Sequence, residues 1–158
     1  MTNENSRAIV VIDDDEHHLD FIVTLLKRAH YRCVGFTSGR EALAHIRQHP
    51  TELVITDIFM PEMDGFELLN AIRRDHPDIA VVTLSGEGRM TQNFYLKCAQ
   101  NLGAIAALRK PFEAENLYAI VNQYMSRERG RLAPKAAKPR PRMGRSRPSR
   151  DHDQGGVT

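Results

Sequence analysis

Strand-like and helix-like apolar patterns alternate five times along the first 126 residues. Ala8-Ile9-Val10-Val11-Ile12 is a continuous β-branched run, the pattern of a strand covered on both faces. After Asp13-Asp14-Asp15 the period changes. Leu19, Ile22, Val23 and Leu26 recur at helical spacing, and the acids stand where a helix N-terminus favours negative charge. Tyr31 to Phe36 reads as a second strand. Ser38 reads as the N-cap of a helix that turns Ala42, Leu43 and Ile46 inward and ends near Pro50. Leu53-Val54-Ile55-Thr56 is a third short strand that runs into Asp57.

Asp64-Gly65 opens a helix with Phe66, Leu69 and Ile72 on one face; Pro77 stops it, and Ile79 to Leu84 is a fourth strand. Past the loop Ser85-Gly86-Glu87-Gly88, Tyr95, Ala99 and Leu102 align, with Gly103 just beyond the helix end. Ala104 to Leu108 is a weaker, Ala-rich fifth strand. Lys110-Pro111 breaks the chain there, and Leu117, Ile120, Val121 and Tyr124 mark a fifth amphipathic helix. Strands alternating with helices predict an α/β domain over residues 7–126. It is a doubly wound, five-stranded parallel sheet of the (βα)5 type, with right-handed crossovers. From Arg127 the periodicity disappears, and Pro134, Pro139, Pro141 and Pro148 stand among Arg, Lys, Ala, Gly and Ser. Too little apolar surface remains there to offset the entropy of ordering, so residues 127–158 are predicted to be a disordered Arg/Pro-rich tail.

Charge sharpens this division. The net charge of +2 conceals −5 over residues 1–126 and +7 over residues 127–158. An alternative use for the tail is therefore weak, salt-sensitive contact of residues 127–150 with nucleic acid or another anionic partner. Arg140, Arg142, Arg145, Arg147 and Arg150 would supply the charge, without aromatic platforms for base stacking. Cys33 and Cys98 form no motif and read as reduced thiols serving as small hydrophobes. Met1 to Arg7 is polar and Ala8 to Ile12 is too short for a signal core or a membrane span. A cytoplasmic location without membrane insertion is the expectation.

The chemistry lies where the strands end. Asp13-Asp14, Asp57, Ser85 and Lys110 follow strands one, three, four and five. In an open α/β sheet, ligands bind beyond the carboxyl ends of the strands. Crowded carboxylates repel one another, which raises a pKa or demands a cation, and hard oxygen ligands in that number suit Mg²⁺. A carboxylate can also attack phosphorus, with the metal, Lys110 and a hydroxyl neutralising the transferred group. Taken singly, each residue has an ordinary explanation as a helix entry, a turn or a loop residue. Only their coincidence at successive strand ends points to a shared site. His17 and His18, in the first turn of helix one, read as exposed polar residues.

Val11-Ile12-Asp13-Asp14-Asp15, Thr56-Asp57-Ile58-Phe59-Met60-Pro61-Glu62-Met63-Asp64-Gly65, Leu84-Ser85-Gly86 and Lys110-Pro111-Phe112 together resemble the receiver domain of two-component response regulators. The resemblance implies a flavodoxin-like strand order 2-1-3-4-5 and a single-domain, chemotaxis-type or stand-alone regulator. Asp57 would be the phospho-acceptor, forming an aspartyl phosphate. Asp14, helped by Asp13, would hold Mg²⁺ together with Asp57 and the backbone carbonyl of Phe59. Ser85 and Lys110 would meet the phosphoryl oxygens, and the Lys110-Pro111 bond would be cis. The donor would be a histidine kinase or a phosphotransfer protein, or a small acyl phosphate. The output would be altered binding of an unidentified downstream protein, with no enzymatic turnover beyond self-phosphorylation and slow auto-dephosphorylation.

Three positions depart from the family pattern. Ala107 stands where an aromatic switch residue is common, which puts ring-rotation signalling in doubt. Phe59 is bulky and apolar where some relatives have polar residues that position water. The segment from Ser85 to Lys110 is longer than in compact members, mostly around Gly86 to Thr91. Competing classes fit less well. A haloacid-dehalogenase-type hydrolase needs a second aspartate where Phe59 stands, and a nucleotide or flavin module needs a glycine-rich loop where acids stand. An adaptor that has the fold but is never phosphorylated stays open as the alternative.

Overall fold

In the computed structural model, which describes residues 8–86 and 92–132, the strands are β1 (Ala8–Ile12), β2 (Cys33–Phe36), β3 (Thr51–Asp57), β4 (Ala80–Ser85) and β5 (Ala106–Arg109). They form one sheet in the order β2-β1-β3-β4-β5, with every neighbouring pair parallel. The helices are α1 (Glu16–Arg28), α2 (Gly39–Gln48), α3 (Gly65–Asp75), α4 (Gln92–Asn101) and α5 (Ala114–Leu132). Fold class and strand order are as the sequence predicts.

Because successive strand residues point to opposite faces, each continuous apolar run feeds two cores. Ile9, Val11, Leu53, Ile55, Val82 and Leu84 meet Leu19, Ile22, Leu25 and Leu26 of α1 and Leu117 and Val121 of α5. Val10, Ile12, Val54 and Val81 meet Ala42, Leu43 and Ile46 of α2, Leu68, Leu69 and Ile72 of α3, and Ala99 of α4. Full burial of such a side chain contributes about 1.5–3 kcal/mol, so these two layers hold the strand ends in place.

Three of the strand-to-helix turns are closed by short polar caps. Asp15 accepts from His17 N–H and His18 N–H, Ser38 from Glu41 N–H, and Asp64 from Glu67 N–H at 2.8 Å. At the last of these the backbone itself is crowded. A Cβ on Gly65 would lie 2.4 Å from the Asp57 carbonyl oxygen and 2.6 Å from Ile58 Cα, while Gly65 N–H donates to Ile58 O at 2.7 Å. Only glycine lets α3 start this close to the end of β3.

Besides shifts of a residue or two at the ends of β3 and β4, the boundaries differ from the sequence reading in three places. Tyr31 and Arg32 precede β2, although Arg32 O still accepts Ile9 N–H at 2.8 Å. β5 begins at Ala106, since Ala104 N–H turns back to Ala99 O at 2.9 Å and closes α4 beyond Gly103, whose φ is +95°. Most substantially, α5 continues to Leu132, so residues 127–132 of the segment expected to be disordered are helical. A helix already docked through Leu117 and Val121 propagates one bond per residue through good helix formers such as Arg, Glu and Leu. The rest of the tail, the extension around Gly86 to Thr91 beyond Gly86 itself, and the Tyr95 side chain lie outside the described residues.

The crowding at Gly65 predicts a large asymmetry between two glycines. Gly65→Ala should cost about 2 kcal/mol or more in urea unfolding, because backbone atoms cannot yield as a side chain can. Gly86→Ala, where a Cβ meets nothing within 4 Å among the described residues, should stay within about 0.5 kcal/mol of wild type.

Candidate functional site

The strand order reverses between β1 and β3. The chain leaves β1 through α1 on one face and leaves β3 through α3 on the other, which opens a crevice at the carboxyl ends of these neighbours. Asp13 is the first residue past β1 and Asp57 the last of β3, so two carboxylates face the crevice floor side by side. Both are buried, with relative exposures of 0% and 7%. Asp13 N–H is fixed to Phe36 O at 3.1 Å, and Ile58 N–H to Leu84 O at 2.9 Å, so flanking strands lock each turn.

Lys110 enters from the far side of the sheet. Its backbone N–H donates to Ser85 O at 2.7 Å, which joins the ends of β5 and β4, and the bond to Pro111 is cis. Its ammonium then reaches across the crevice. Nζ donates to Asp13 Oδ2 at 2.8 Å and to Asp57 Oδ2 at 2.9 Å. The remaining oxygens are tied to backbone: Asp13 Oδ1 accepts Asp15 N–H at 3.1 Å, and Asp57 Oδ1 accepts Phe59 N–H at 3.2 Å.

Burial pushes the Asp57 carboxyl above its ordinary value; Lys110 pulls against that shift and the nearby Asp13 charge adds to it. For Lys110, burial alone would lower the ammonium, but hydrogen bonds to Asp13 and Asp57 outweigh it and the net shift is upward. Asp14 is exposed, yet Asp13, Asp14 and Asp57 each offer a carboxylate oxygen within 4.8 Å of the others. Hard oxygen donors in this arrangement fit a divalent cation such as Mg²⁺. A second feature fits an oxygen-rich ligand beside them. Ser85 Oγ is buried at the end of β4 and, among the described residues, has no hydrogen-bond partner. An unsatisfied buried hydroxyl costs about 1–3 kcal/mol, a penalty that a ligand oxygen would remove.

The fold thus brings Asp13, Asp14, Asp57 and Lys110 into one cluster and sets Ser85 beside Lys110 through the backbone. Phe59 follows Asp57 by two residues; its N–H is bound to the Asp57 carboxylate and its side chain is 46% exposed. Ala107 pairs with Thr83 in the sheet and carries no ring to rotate; Thr83 Oγ1 above it is buried and, among the described residues, unpartnered. One residue was misread from sequence. His17 is exposed as expected, but His18 is half-buried and its Nδ1 is bonded to Asp13 Oδ2. A faint signal existed: His18 follows the Asp15 N-cap by three residues, which turns it back toward the end of β1.

Residues 9–122 match the family model described as the response regulator receiver domain. Among curated proteins, the chain is 30% identical over 122 residues to the response regulator GtcR of Aneurinibacillus migulanus, covering 77% of this chain and 49% of GtcR. It is 32% identical over 126 residues to the transcriptional regulatory protein ZraR of Escherichia coli K12, covering 80% of this chain and 28% of ZraR. The chain therefore matches half or less of the length of these relatives. Among solved structures, it is similar to a response regulator receiver domain protein from Clostridium thermocellum. There the TM-score is 0.72 at 29% identity, over 80% of this chain and 100% of that one. The receiver domain of NtrX from Brucella abortus gives a TM-score of 0.70 at 28% identity, over 75% and 98%.

The burial of Asp57 has a pH signature. Between the ordinary carboxyl value of 3.8 and the raised one, the folded chain keeps a proton that the unfolded chain releases. Stability therefore falls as pH rises through that window, and the cost is complete above it. Asp57→Asn should raise the thermal unfolding midpoint by a few degrees at pH 7 in metal-free buffer. The advantage should shrink as the pH is lowered toward 3.8, which calorimetry across pH checks.

Proposed function

The chain belongs to the response regulator receiver domain family, and from that premise we propose that it accepts a phosphoryl group on Asp57 and changes its partner binding when so modified. One observation carries the proposal: a buried carboxylate at a strand end, bonded to Lys110 Nζ at 2.9 Å and set within a three-acid cluster. The donor is a histidine kinase or phosphotransfer protein, and a small acyl phosphate can substitute. An Asp57 carboxylate oxygen attacks phosphorus; the bond from phosphorus to the donor nitrogen or acyl oxygen breaks, and the donor group leaves with that electron pair. Asp57 Oδ2, now held by Lys110, and Oδ1, held by Phe59 N–H, fix the carboxylate's orientation before the reaction.

Asp13, Asp14, Asp57 and the Phe59 carbonyl would hold Mg²⁺, which when bound supplies charge neutralisation for the incoming phosphoryl oxygens. Lys110 pairs with one of those oxygens and Ser85 Oγ donates to another, satisfying a hydroxyl that has no partner among the described residues. The chain has no further turnover in this reading: it takes up the phosphoryl group and loses it slowly by hydrolysis. The exposed Phe59 ring beside the acceptor lacks a polar group to position the attacking water. With Ala107 at the usual aromatic position, the output does not rely on ring rotation there. Among the described residues no helix is long and apolar enough to cross a membrane, and a cytoplasmic site of action is part of the proposal.

Incubation with acetyl phosphate should give a hydroxylamine-sensitive, Mg²⁺-dependent mass adduct on wild type, none on Asp57→Asn and a strongly reduced yield on Lys110→Ala. No adduct on wild type with any phosphodonor would overturn the proposal. Phe59→Asn should shorten the lifetime of the phosphorylated protein several-fold; an unchanged half-life would remove the role given to that ring.

A further inference from the structure

Asp13 Oδ2 has two side-chain donors from different parts of the chain: Lys110 Nζ at 2.8 Å, from beyond β5, and His18 Nδ1, from the first turn of α1. A carboxylate only accepts, so the hydrogen in the second bond sits on Nδ1. The imidazole is clamped from outside. Phe112 meets it edge-on with ring centroids 5.7 Å apart at 73°, and Phe21 lies 6.3 Å away. Side-chain exposure is 24% for His18 and 0% for Asp13, so the ring directs its N–H at a buried carboxylate.

The two donors differ in their other obligations. Lys110 also holds Asp57 Oδ2, and a phosphoryl group on Asp57 would bring new oxygens that compete with Asp13 for the same ammonium. Among the described residues, His18 Nδ1 bonds to Asp13 alone. Resting on the function proposed above, we propose that His18 is a positioning residue. It anchors Asp13 Oδ2 when Lys110 is drawn to the phosphoryl group, so that the carboxylate keeps its aim at the cation. Hydrogen-bond donors behind a ligating carboxylate typically change metal affinity about 10–100-fold when removed.

The test compares wild type, His18→Leu and His18→Asn in the same buffer. Leucine keeps apolar volume against Phe21 and Phe112 but has no donor; the asparagine amide places an N–H near the Nδ1 position but gives up most of the packing. Titration of Mg²⁺ by calorimetry, with and without beryllofluoride, should show affinity lowered about 10-fold in His18→Leu. The deficit should be larger with beryllofluoride present, and His18→Asn should stay close to wild type. The opposite order, with asparagine impaired and leucine normal, would mean a packing role and would overturn the inference, as would equal affinities in all three. Urea unfolding shows whether each variant folds. Should His18→Leu fail to fold, the wild-type imidazole decides: a slowly exchanging Nδ1–H resonance that persists under beryllofluoride supports the anchor, and its loss overturns it. Wild type that takes up neither Mg²⁺ nor beryllofluoride would instead defeat the function proposed above, a result that does not depend on any His18 variant.

Discussion

Two buried carboxylates on adjacent strands repel each other and lose hydration, and the Lys110 ammonium between them is what makes their juxtaposition tolerable. Much of the surrounding architecture serves that bridge. The backbone bond from Lys110 to Ser85 brings the lysine back over the end of β4, and the bonds of Asp13 to Phe36 and of Ile58 to Leu84 hold the acids to fixed strands. The two apolar layers matter to the site chiefly because they forbid any of these strands to slide. A register slip by one residue would send an acid into a core and a valine to the rim.

The same bridge leaves the site incompletely satisfied. Lys110 supplies one positive charge to a cluster of three acids, the Asp57 carboxyl is held above its ordinary value by burial, and the buried Ser85 hydroxyl has no partner among the described residues. Each imbalance has the same remedy, a cation and an oxyanion arriving together at the rim. This is why one lysine contact supports a phosphoryl-transfer reading better than a static ion pair would. Gly65 belongs to the same logic, since the close approach of α3 to β3 shapes the loop that carries Phe59 N–H to the acceptor.

Along one branch the chain departs from a simple relay. Ala107 pairs with Thr83, whose buried hydroxyl is unpartnered among the described residues, so the β4–β5 edge holds small side chains where a ring would be bulky. On the opposite side, His18 connects the acid cluster to Phe112 and to Phe21, which is 45% exposed. Asp13, His18, Phe21 and Phe112 thus form one run of contacts from the acid cluster to the surface of α1.

The sequence by itself determined the sheet, the helices and the rim. Short apolar runs that alternate with helix-period segments read as strands covered on both faces, and the residue that follows such a strand in an α/β sheet lies at its carboxyl edge. Asp13, Asp57, Ser85 and Lys110 were legible for that reason. Local pattern also reached the Ser38 cap, but it ended the last helix too early, because helix propagation through polar residues leaves no apolar period. Tertiary structure alone decided which acid is buried and which is open, that Lys110 binds two carboxylates across 97 and 53 residues of chain, and that His18 points inward while His17 does not. Those outcomes depend on distances between segments remote in sequence and on the direction of single side chains, and periodicity along a chain carries neither quantity.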